Sequence, residues 1–147
     1  MDNYAVSITS AAIGAAVAVF TNFWRTRYTV RAQDFSKRIE EIAASIRQLE
    51  VLACEYWCDP TEGKPSDRPY ILGTQEKISI MLKYLHDQYK KFDAATISEP
   101  LSDFFEACTG GSFDKQASPA EPDRVRQILI SGERLKIELM KTRGTLY

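Results

Sequence analysis

Apolar and polar positions divide the chain into an uncharged opening stretch, a long heptad and a series of shorter amphipathic segments. No charged residue occurs between Asp2 and Arg25. The run from Ala5 to Trp24 is 20 residues, and a helix of that length rises about 30 Å, the thickness of a hydrocarbon core. Within it Ser7, Ser10, Gly14, Ala18 and Thr21 recur at three- and four-residue steps and so share one helix face. Ser10, Gly14 and Ala18 form a ladder of small residues that lets helix backbones approach closely. The stripe is expected to pack against another span. If several copies assemble, it would instead line a water-filled path.

From Tyr28 the spacing changes. Tyr28, Ala32, Phe35, Ile39, Ile42, Ile46, Leu49, Ala53 and Tyr56 step by four and three without a break, the pattern of a helical seam. No Pro or Gly occurs between Ala15 and Asp59, so one long helix is expected to continue to about Trp57. Glu40, Glu41, Arg47 and Glu50 would line its solvated side. The seam suits either a coiled coil or an intramolecular bundle, and the bundle is preferred because small helical domains use the same pattern.

DPTEGKPSDRP, from Asp59 to Pro69, breaks that helix. Thr74 after Gly73 reads as the N-cap of a second helix, with Ile78, Met81, Leu82, Leu85, Tyr89 and Phe92 on its apolar side. A third helix is expected from Ser98, with Pro100 in its first turn and Leu101, Phe104, Phe105 and Cys108 turned inward, until Gly110-Gly111 stops it. Ser118-Pro119-Ala120-Glu121 has the spacing of a capping box. The helix after it carries Val125, Ile128, Leu129, Leu135, Leu139 and Met140. The expected fold class is all-α: a single N-terminal transmembrane helix over about 1–27, continuing into a cytoplasmic helical bundle over 28–147. Its four helices would cover about 28–57, 74–93, 98–109 and 119–143.

Charge orients the span. Arg25, Arg27 and Arg31 follow it with no acid until Asp34, which places the bulk of the chain on the cytoplasmic side of an inner or plasma membrane and the N-terminus outside. Tyr4 at one end and Phe23, Trp24 and Tyr28 at the other match aromatic belts. The basic flank lies on the wrong side for a cleaved leader. Arg25, Arg27 and Arg31 would face lipid headgroups. The net charge of −1 sets up no global field for nucleic acid. A modest surplus of Arg124, Arg126, Arg134 and Lys136 on the last helix makes a candidate basic face for an acidic partner or nucleic acid, the solvated face being the default.

Chemistry is sparse. His86 is the single histidine, and there is no phosphate loop, HExxH or CxxC. Cys54, Cys58, His86 and Cys108 form a weak Cys₃His zinc candidate; three free thiols packing as small apolar groups are the simpler reading. No cofactor is expected, and no catalytic residue is named. The expected function is therefore a non-enzymatic single-pass membrane protein that self-associates through its span and binds a protein partner through its helical domain. The alternative is a membrane-perturbing effector held inactive by a partner. The single-span plan is similar to that of several bacterial anti-phage and toxin effectors, a likeness of architecture only. An enzyme is the remote third reading.

Overall fold

The computed structural model describes the backbone of 2–58, 67–113 and 120–144, with side chains from Ala15 onward within these ranges. Among the described residues four helices follow one another: α1 (Asp2–Cys58), α2 (Arg68–Gln88), α3 (Ala95–Thr109) and α4 (Pro122–Gly144). No strand occurs among the described residues, so the all-α class holds. The chain divides into two compact units, 1–35 and 36–147.

In the first unit α1 is helical from Asp2. Every described residue from Ala15 to Arg31 is exposed. Among the described residues no helix is long and apolar enough to cross a membrane. The side chains of residues 1–14, which include the first half of the expected span, lie outside the described residues.

The second unit is a four-helix bundle. Its α1 stretch carries the seam inward: Ile39, Ile42, Ala43, Ile46, Leu49, Ala53, Tyr56 and Trp57 are all buried. The seam is therefore intramolecular. Cross-helix pairs show that neighbours run antiparallel. Tyr56 meets Arg68 near one end of α1 and α2, and Arg38 lies over Tyr84 near the other. Gln75 donates to the Phe105 carbonyl between α2 and α3. Arg134 of α4 reaches Asp103 of α3, while Arg143 reaches Glu40 of α1. Up-down-up-down order with α1 and α4 adjacent is the bundle arrangement that short loops favour.

Three helix starts differ from expectation. α2 begins at Arg68 because Pro69 fits the first turn, where its missing N–H is not needed. Thr74 is then interior and buried, and its hydroxyl donates to the Tyr70 carbonyl at 2.7 Å. α3 begins at Ala95 because the Asp93 carboxylate accepts from the Ala95 N–H at 3.0 Å and the Thr96 hydroxyl at 3.1 Å. Pro100 consequently lies inside α3 rather than in its first turn. α4 begins at Pro122, not Pro119. A proline at 122 disfavours helical backbone at Glu121, and the Glu121 N–H donates to the Trp57 carbonyl at 3.3 Å; Ser118 and Pro119, which would open the expected capping box, lie outside the described residues.

Faces differ too. Leu129 and Met140, expected inward, are each about half exposed, whereas Gly132, Lys136 and Thr142 are buried. Glu50, expected on the solvated side, is buried.

One end of the bundle is closed by side chains that join all four helices. Trp57 Nε1 donates to the Cys108 carbonyl at 2.9 Å, and Tyr56 donates to the Phe113 carbonyl at 2.9 Å. Arg124 lies over the Trp57 ring at 4.6 Å and donates to the carbonyls of Glu106 and Ala107. The last carbonyls of a helix have no partner within it. Here α1 and α4 supply donors to those of α3, and Arg124 adds the positive charge that a helix C-terminus favours. Gly111 turns the chain out of α3 with a left-handed φ of 67°, a conformation that costs glycine little.

Candidate functional site

The exposed part of α1 is the first feature that the bundle does not account for. Val17, Val19, Phe20, Phe23, Trp24, Tyr28 and Val30 are each more than half exposed, a run of large apolar side chains that water does not favour. The rings of Phe20 and Trp24 meet at a tilt of 42°, with 6.3 Å between centroids. Of the small-residue stripe, Ser7, Ser10 and Gly14 lie outside the described residues. Ala18 and Thr21 are exposed, and the Thr21 hydroxyl donates to the Val17 carbonyl at 2.8 Å, which satisfies it within its own helix. Arg25, Arg27 and Arg31 are exposed. Arg27 and Arg31 line an open notch with Phe23, Trp24 and Tyr28.

The helical seam residues Phe35, Ile39, Ile42, Ile46 and Leu49 are all buried. They are structural.

The proposed basic face of α4 is largely neutralised. Arg124 pairs with Glu121 at 2.7 Å, and Arg134 pairs with Asp103 at 3.3 Å and Glu99 at 3.7 Å. Lys136 is buried against Glu50 and Glu133. Burial alone would lower the Lys136 ammonium, but hydrogen bonds to Glu133 and Glu50 outweigh it and raise the pKa. Arg126 is exposed. Between α3 and α4 lies an open groove of about 560 Å³, in which Asp103 and Glu106 stand beside Arg124 and Arg134. Its charges are mixed, so it presents no single-sign surface.

Sequence reasoning missed the outer face of α4. Leu129, Ile130, Ile137 and Met140 are 45–59% exposed and fall within about a third of the helix circumference. They escaped notice because a residue at the edge of an amphipathic stripe can belong to either face.

The metal candidate is not assembled. Among the described residues no group of three or more His, Cys, Asp or Glu is placed to hold a metal ion. Cys58 is exposed, Cys54 is half-buried and Cys108 is buried, all three with free thiols. Burial pushes the Cys108 thiol far above its ordinary value, with Cys54 and Glu50 adding to the effect. Such a thiol packs as an apolar group and is a poor nucleophile. His86 stands instead at an apolar notch with Leu82, Phe92 and Ile97.

No protein-family model, curated protein or solved structure matches this chain.

Proposed function

We propose that this is a non-enzymatic membrane protein, held in the bilayer by the N-terminal part of α1 and self-associating there, whose helical bundle binds a protein partner. One observation carries the reading: the run of exposed valine, phenylalanine and tryptophan side chains between Val17 and Val30. A soluble protein rarely leaves so many large apolar groups in water. The uncharged sequence from Ala5 to Trp24 supports the same placement, and the arginines that follow favour a cytoplasmic bundle. For the partner, support comes from the outer face of α4, where four large aliphatic side chains stand exposed around Arg126 and Glu133.

The test is fractionation and labelling of membranes from cells producing the full chain. We expect the protein to resist alkaline carbonate extraction. A cysteine introduced at Asn3 should react with a membrane-impermeant maleimide from outside, and the native Cys58 should not. Release of the protein by carbonate would sink the reading.

A further inference from the structure

Between Phe23 and Arg31, α1 places two guanidinium groups among three rings. Arg27 and Arg31 are one helical turn apart and so lie along one side of the helix. Trp24 and Tyr28 flank them on one side and Phe23 on the other, and the five side chains border an open notch of about 280 Å³. Arg25 projects from the other side of the helix. Neither Arg27 nor Arg31 makes an ion pair among the described residues, and no acid lies between Asp2 and Asp34.

We propose that this notch binds the phosphate headgroup of an anionic phospholipid. The inference rests on the membrane reading and adds the lipid class to it. Guanidinium groups hold phosphate oxygens in pairs of parallel hydrogen bonds, which a lysine ammonium does not reproduce. Two of them one turn apart grip a single phosphate from both sides. Phe23, Trp24 and Tyr28 lie where the hydrocarbon gives way to headgroups, as amphipathic rings prefer, and the arginine stems cover apolar surface while their heads stay wet. Charge selects the lipid. A choline headgroup would bring a quaternary ammonium against two guanidinium groups, whereas the glycerol headgroup of phosphatidylglycerol adds no opposing cation.

The full chain, diluted from neutral detergent into vesicles, separates the outcomes. Vesicles are made of phosphatidylcholine alone or with about a third phosphatidylglycerol, and binding is read by flotation. The wild type should prefer the anionic vesicles by roughly tenfold or more, each interfacial arginine contributing about fivefold. The charge-preserving double variant Arg27→Lys/Arg31→Lys should lose at least about fivefold of that preference, with its helicity unchanged. Arg25→Lys should stay within about twofold of wild type, because Arg25 lies outside the notch and keeps its charge. A double lysine variant that retains the full preference would reduce the effect to diffuse attraction and overturn the proposed site. Equal wild-type binding to both vesicles would overturn it as well while leaving the membrane reading intact. Binding to neither would overturn the membrane reading itself.

Discussion

Lys136 of α4 meets Glu50 of α1 inside the bundle, Nζ to Oε1 at 3.2 Å, with each side chain only 11% exposed. Gly132, one turn before Lys136, gives the Glu50 carboxylate its room: a Cβ at that position would collide with Glu50 Oε1. The pair ties α1 to α4 in one register, because a slip of either helix would leave a buried charge alone. Glu133 supplies a second, more exposed carboxylate to the same ammonium at 2.8 Å.

Removing one partner of this pair is therefore expected to cost far more than removing both. Lys136→Met leaves the Glu50 carboxylate buried without its cation, at about 3–5 kcal/mol. Glu50→Leu/Lys136→Met should recover most of that loss. Urea unfolding of the full chain in detergent, followed by tryptophan emission in a Trp24→Phe background so that Trp57 alone reports, gives both values. With Glu50→Leu measured alone as well, a double-variant loss equal to the sum of the two single losses would show that the pair is not coupled.

Gly132→Ala tests the close approach separately. In an ordinary helix interior this change stabilises by about 1 kcal/mol. Here it should destabilise, since the Glu50 side chain must move. In a Glu50→Ala background the sign should revert to stabilising, which the same unfolding measurement reads directly.

At the closed end, Trp57 is 1% exposed and its indole is the donor to the Cys108 carbonyl. Trp57→Phe removes that donor and leaves the carbonyl buried, at about 1–3 kcal/mol, with a smaller loss from the Arg124 contact. Tyr56→Phe should cost about 1 kcal/mol for its bond to Phe113. Hydrogen exchange should show faster opening of the last turn of α3 in Trp57→Phe.

Stability should decline above about pH 9. The buried Cys108 thiol is raised from an ordinary 9.0, and Cys54 is raised by burial and by Cys58, Glu50 and Glu55. The folded chain thus keeps protons that the unfolded chain releases above 9, so the contribution is complete below that pH and is lost as pH rises toward the folded values. One such thiol gives a slope of about 1.4 kcal/mol per pH unit. Lys136, raised from 10.5, adds a second loss beginning there. Urea midpoints between pH 8 and 10.5 measure the slope, and Cys108→Ala should flatten it.

Self-association is expected to depend on the small-residue stripe. Gly14→Leu, at a position outside the described residues, should reduce cross-linked oligomers in membranes because a leucine holds the backbones apart. Cell depolarisation on expression, abolished by the same change, is the result that would favour the membrane-perturbing alternative over a plain anchor.

Periodicity alone determined much of this protein. The unbroken four-and-three spacing from Phe35 to Tyr56 marks a buried seam, because helix geometry translates spacing into faces without reference to neighbours, and the Pro-rich and Gly-containing breaks separate α1 from α2 and α3 from α4. The charge-free run and its flanking arginines are likewise plain in the sequence. Tertiary structure decided which of two acceptable faces turned inward. Lys136 and Glu50 read as solvated charges and Leu129 as core, yet the antiparallel packing of α1 on α4 reverses all three, because a charge can be buried once an opposite charge on another helix meets it. The turn of α1 by itself sets Arg27 and Arg31 beside the rings of Phe23, Trp24 and Tyr28 and points Arg25 away. Those three arginines look equivalent as a cluster of charges, and only the helix separates them by direction.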